Sequence, residues 1–469
     1  MSLSRRTFLK HSIASSLAAA SLTGVGGALA GFQAKAQEVG GYRALVCVFL
    51  FGGLDNHDVV LPYDPPSYDA FAAIRSTLLA QQGDARSREN LLPLLTANPD
   101  QFGSRRFALP PELAGIKSIY DSGQAAVVAN VGPLIVPTDR QSYDSQSVPL
   151  PLRLFSHNDQ QATWQASAPE GAQLGWGGRF ADVALDAGAN GAPEFSTISG
   201  NGDGLFLTGQ LAQPYNVSPG GADTMRLLDE LEARPGRPGA AETLAQVRAL
   251  LRNELYQGAN VIAQDIGTAF RNAIDSNDRY NDALSGGDPL GTPFPESDLG
   301  QQLRAVAEAI QIRDSLQATR QVFFVGMGGF DTHSEQARAL PELLADLDAA
   351  VSAFHSQMQE SGLANDVTLF TASDFGRTLA VNGDGTDHGW GGHHFVVGGS
   401  VQGGAIYGDF PPVGFDHTQD AGNGRLIPTI AVEKFAQPLG SWFGLSAEQL
   451  DEALPNLANF AAEPDLTFL

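Results

Sequence analysis

Seven side chains able to hold a cation sit just beyond short apolar runs of this chain. Asp55 follows the run 44–51, Asp331 and His333 follow 322–326, and Asp374 follows 367–371. Asp387, His388 and His393 belong to the glycine-rich stretch that comes next. Carboxylates and imidazoles brought together suit Zn²⁺ or Mn²⁺, whereas carboxylates alone suit Ca²⁺ or Mg²⁺. Of the nine histidines in the chain, three lie between His388 and His394, so the grouping is uneven. Gly385, Gly389, Gly391 and Gly392 in the same stretch allow close approach of the backbone to an ion. Arg377, three residues after Asp374, offers either a two-pronged grip on a phosphate or sulfate group or a salt bridge to one of the many acids. Each residue also has a plainer use: an Asp after a strand commonly makes a turn or caps a helix, and His393 can pack at a strand edge.

The elements that must position these groups are legible as periodicity. Residues 44–51, Ala-Leu-Val-Cys-Val-Phe-Leu-Phe, are continuously apolar and end in glycine, which predicts a strand buried on both faces. The run 125–131 predicts another. Leu303, Val306, Ala307 and Ile310 recur at helical spacing before the run 322–326. Pro341 is expected to open a helix carrying Leu344, Leu347, Val351 and Phe354 on one face, ahead of the run 367–371. Helices alternating with fully apolar strands predict an α/β fold, a largely parallel sheet with helices on both faces. In such sheets ligands gather beyond the carboxyl ends of the strands, where the candidate residues fall. Residues 217–300, bounded by Gly/Pro-rich segments, read as a helical insertion.

The motifs Ser156-His157-Asn158-Asp159-Gln160, Gly175-Trp176-Gly177-Gly178-Arg179, Phe330-Asp331-Thr332-His333, Ser373-Asp374-Phe375-Gly376-Arg377 and Thr386-Asp387-His388-Gly389 resemble one family across nearly the whole mature chain. It is the exported domain-of-unknown-function family numbered fifteen-oh-one, of the alkaline phosphatase/sulfatase-like superfamily. The resemblance implies one or two divalent ions at the strand ends and cleavage of phosphate or sulfate esters. It implies metal-ligand roles for Asp55, Asp331, His333, Asp374 and His388, with His393 as a substitute ligand. Phe375 stands where the family pattern has a ligating histidine, which leaves a second ion short of a partner. Ser156 is the implied nucleophile at a helix start, with His157 as ligand or proton carrier.

The N-terminus carries Arg5-Arg6, an Ala/Ser/Leu/Gly run and Ala34-Lys35-Ala36, which resembles a twin-arginine export signal over residues 1–36. Cleavage there leaves residues 37–469 as an α/β domain, passed by the twin-arginine export machinery to the periplasm or beyond. No later segment is long and apolar enough to span a membrane. The formal charge of −24, made four units more negative by loss of the signal, excludes nucleic acid as a natural partner and leaves small anionic esters. The expected function is thus an exported metal-dependent hydrolase, the alternative a non-catalytic exported protein with a structural ion.

Overall fold

The structure, a computed structural model, describes residues 41–202, 204–222, 239–252 and 261–469. The export signal expected over residues 1–36 lies outside the described residues, as do parts of the 217–300 stretch.

A nine-stranded sheet carries the fold. Its strands are β1 (Arg43–Leu50), β2 (Ala125–Gly132), β3 (Thr197–Ser199), β4 (Tyr215–Asn216), β5 (Arg320–Met327), β6 (Val367–Ser373), β9 (Gly392–Val397), β10 (Ile406–Tyr407) and β11 (Ile430–Ala431). Between β6 and β9 a separate hairpin pairs β7 (Arg377–Asn382) with β8 (Gly385–His388). The main order is β10-β2-β9-β6-β1-β5-β3-β4, with β11 also on β2. Within this sheet the described strands pair in parallel except for β9, which runs antiparallel to both β2 and β6.

Strand alternation explains why β1 is apolar throughout. Ala44, Val46, Val48 and Leu50 point into one core, and Leu45, Cys47 and Phe49 into the other. The first core is closed by α6 (Asp298–Gln311) through Leu303, Val306 and Ile310, and by α7 (Gln336–Glu360) through Leu344, Leu347 and Phe354. The second is closed by α3 (Trp176–Asp186) through Trp176 and Phe180, and by α8 (Val432–Phe443) through Phe435 and Leu439. The fold is therefore α/β, a largely parallel sheet with helices on both faces. Two further helices, α4 (Ala240–Arg252) and α5 (Val261–Ser285), fall within the 217–300 stretch. Tyr280 of α5 is buried against Phe195 and Tyr215, which ties its C-terminal half to the main core. The remaining helices that bear on the site are α1 (Pro65–Ile74) and α2 (His157–Ala166).

One boundary differs from the sequence expectation. Helix α7 begins at Gln336, and Pro341 lies inside it. Gln336 is wholly buried and hydrogen-bonded on both sides of its amide, which holds this extra turn in helical form despite the proline.

Candidate metal centre

Strands β1, β5 and β6 are adjacent and in register, so their carboxyl ends open onto one rim. The turn after β1 is made by Gly52 and Gly53, with φ of +113° and +92°. A Cβ on Gly52 would lie 2.3 Å from the Asp331 backbone nitrogen, and one on Gly53 would lie 2.4 Å from the Phe375 ring. Only glycine lets the three strand ends meet this closely.

At that rim a His/Asp group assembles. His157, the first residue of α2, stands with its Nε2 3.5 Å from Asp331 Oδ2. His388, the last residue of β8, stands with its Nε2 3.2 Å from Asp331 Oδ1. His333 Nε2 is 3.1 Å from the same Oδ1 and 2.8 Å from His388 Nε2. One ligand atom from each of His157, Asp331 and His388 lies within 4.8 Å of the others. Two atoms each ~2.0–2.1 Å from a tetrahedral ion sit about 3.3 Å from one another, so the spacing fits a small divalent ion.

The outer contacts agree with that fit. His157 Nδ1 is 2.7 Å from Asp374 Oδ2, and His388 Nδ1 is 2.7 Å from the Phe155 carbonyl oxygen. Both partners can only accept, which places a proton on each Nδ1 and turns each Nε2 lone pair toward Asp331. Asp374 is fixed in turn by Gln161 Nε2 at 2.9 Å and by the Gly52 N–H at 3.2 Å. Gln161 follows His157 by four residues, on the same face of α2. The Phe375 ring is buried beneath both imidazoles, with centroids 4.9 Å from His157 and 4.7 Å from His388.

Charge follows the same geometry. The Asp374 hydrogen bond raises His157 above the usual imidazole range, whereas burial lowers His388. Burial alone would raise Asp331, but the Arg377 hydrogen bond and charge, with the charges of His333 and His157, outweigh it and keep the carboxyl low.

Of the other expected site residues, Asp55 and His393 lie apart from this group, and Arg377, Asp374, Ser156 and Asp387 border it. Asp55 is completely buried in a two-pronged ion pair with Arg75 at the end of α1, with Arg75 Nη2 3.0 Å from Oδ1, and it also accepts from the His57 N–H and Gln336. Both of its oxygens are engaged by donors, so it faces the scaffold and not the group around Asp331. His393 is buried in β9, its Nδ1 accepting from the Asn130 N–H at 3.0 Å and its ring against Phe410. It lines a separate small cavity with His57 and Phe71. Arg377 is buried as well. Its guanidinium donates to Asp331 Oδ1 at 2.8 Å, to the Gly52 carbonyl at 3.0 Å and to Thr386, so the salt-bridge alternative holds in place of a grip on a soluble anion. Asp374 meets the Nδ1 side of His157, not the Nε2 side that faces Asp331. The half-buried Ser156 caps α2 without a side-chain cap bond, and its hydroxyl donates to Asp159 Oδ2 at 3.1 Å. Asp387 approaches His333 Nδ1 at 3.4 Å.

Sequence reasoning passed over Gln161, the Phe155 carbonyl, Gln336 and Thr386. Only Gln161 carried a signal, its four-residue spacing from His157.

The site defines an α/β protein with an imidazole–carboxylate group at the ends of parallel strands. The chain belongs to the family described as "Protein of unknown function (DUF1501)", whose profile matches residues 42–454. No curated protein matches it. Among solved structures it is similar to Ps i-CgsB in complex with k-i-k-neocarrahexaose, at 10% identity over 89% of this chain and 77% of that one, TM-score 0.33. It is also similar to the PsFucS1 sulfatase from Pseudoalteromonas sp., at 10% identity over 87% and 68%, TM-score 0.33. These values are too low to say anything of the site.

Proposed function

We propose that this protein is an exported metal-dependent hydrolase of phosphate or sulfate esters. The observation that carries the reading is the convergence of His157 Nε2, His388 Nε2 and Asp331 at the strand ends, each imidazole fixed from behind by an acceptor. A divalent ion held by those residues, with His333 beside them, would act as a Lewis acid toward an ester oxygen. Asp374 and the Phe155 carbonyl keep the two rings in the ligating tautomer. Arg377 keeps Asp331 ionised. Ser156, adjacent to His157, is the candidate nucleophile, and its attack requires the hydroxyl to turn away from Asp159. His157 serves as a ligand in this reading, not as a proton carrier. The strongly acidic chain favours a small ester over an anionic polymer. Among the described residues no helix is long and apolar enough to cross a membrane, which is compatible with export as a free protein.

A second reading, a non-catalytic exported protein with a structural ion, is favoured by the engagement of Ser156 with Asp159 and by the burial of Arg377. Both readings are tested by assaying a panel of phosphate and sulfate esters with the metal-loaded protein. Cleavage that disappears in Asp331→Ala supports the hydrolase. Full metal occupancy with no turnover on any ester supports the second reading.

A further inference from the structure

The buried ion pair of Asp55 is joined to the candidate ligand Asp331 by an unbroken chain of hydrogen bonds. Arg75 pairs with both oxygens of Asp55. Gln336 Nε2 donates to Asp55 Oδ2, and Gln336 Oε1 accepts from Thr386 Oγ1 at 2.6 Å. Thr386 Oγ1 accepts in turn from Arg377 Nε at 2.9 Å, and Arg377 Nη1 donates to Asp331 Oδ1 at 2.8 Å. Every member from Arg75 to Arg377 is at most 1% exposed, and only Asp331 reaches the rim.

The direction of each bond is dictated from the Asp55 end. A carboxylate only accepts, so the Gln336 amide must turn its nitrogen toward Asp55 and its oxygen toward Thr386. The Thr386 proton is thereby donated to Gln336, which leaves a lone pair for Arg377 Nε. One edge of the guanidinium is thus locked onto Thr386, whose carbonyl also accepts from Nη2. Nη1 is left aimed at Asp331 and the Gly52 carbonyl. Buried and fully connected, such a network transmits orientation, because any reversed member would leave an unpaired polar group in a dry interior.

We infer that Asp55, Gln336 and Thr386 are positioning residues for the ion site, acting on Asp331 through Arg377 although none of them lies in the site. The inference rests on the reading of Asp331 as a ligand. It assigns to Asp55 a role at one remove from the ion, carried by charge and hydrogen-bond direction.

The test is a Mn²⁺ titration of the full-length folded protein, wild type and variants, by calorimetry. Thr386→Val removes the hydroxyl link at nearly constant shape and is expected to weaken binding about tenfold or more. Thr386→Ser restores it to within a few-fold. Thr332→Val removes the other hydroxyl on Gln336 Oε1, at 3.1 Å and also buried but outside the chain, and is expected to bind like wild type. Equal affinity of Thr386→Val and wild type, or equal weakening by Thr332→Val, overturns the inference. Should Thr386→Val fail to fold, Asp55→Asn keeps the shape and removes the charge that sets the bond directions, with the same loss expected. If the wild type takes up no ion, the hydrolase reading fails by itself. The chain is then judged in the metal-free protein from hydrogen exchange of the Arg377 Nε–H. Exchange at least tenfold faster in Thr386→Val than in wild type and Thr386→Ser sustains the chain, and equal rates refute it.

Discussion

Single atoms decide whether the rim can form. Gly52 places no side chain where a Cβ would meet the Asp331 backbone, and backbone cannot swing aside as a side-chain tip can. Gly52→Ala is therefore expected to lose about 1–3 kcal/mol in stability from φ strain alone, and to abolish ion binding as Asp331 is displaced. Gly328→Ala is the matched control, since its Cβ would meet no heavy atom within 4 Å, and it should stay within about 0.5 kcal/mol of wild type in urea unfolding. A second effect at this scale concerns His394, which burial lowers to about 3. Its folded pKa lies below the unfolded value, so below ~6.5 the unfolded chain takes up a proton that the folded one refuses. Stability from this group is complete above that pH and declines as pH falls toward 3. Replacing it, His394→Gln, is expected to flatten the stability–pH slope between pH 6 and 4 by up to about 1.4 kcal/mol per unit. An unchanged slope in denaturant titrations would exclude the effect.

At the scale of elements, the alternation of β1 between two cores makes every large side chain on the neighbouring strands structural. Phe324 of β5 is fully buried against Phe49, Phe51 and Phe206. Phe324→Ala should cost about 3–5 kcal/mol, read from the midpoint of urea unfolding, without changing the ligand set. Strands of this kind were readable because eight successive apolar residues have few other uses. The antiparallel course of β9 was not, since His393-His394-Phe395-Val396-Val397 has the same pattern in either direction. The start of α7 was obscured for a different reason. Proline is the strongest local helix signal, and the bonds that extend the helix back to Gln336 reach Asp55 and Thr386, both remote in sequence. The candidate site shows the same division. Asp331, His333, Asp374 and His388 could be picked out because each follows a strand or closes a glycine-rich hairpin. Asp55 follows a strand in the same way, and nothing local reveals that Arg75 will occupy it.

For the whole molecule, an ion bound only by the folded state adds stability by mass action, about 2.7 kcal/mol at a free concentration one hundred times Kd. Chelation should accordingly lower the thermal midpoint of the wild type and leave that of Asp331→Ala unchanged. The acidic surface adds long-range attraction for cations, a contribution that weakens with added salt, whereas the site itself is set by short contacts. Dialysed, folded wild-type protein and Asp331→Ala, compared by elemental analysis after equilibration with Zn²⁺ and Mn²⁺, test the central claim most directly. The expected result is one tightly held divalent ion per wild-type chain and none in the variant. A wild type that retains no ion, or a variant that retains as much, would contradict a metal centre built on His157, Asp331 and His388.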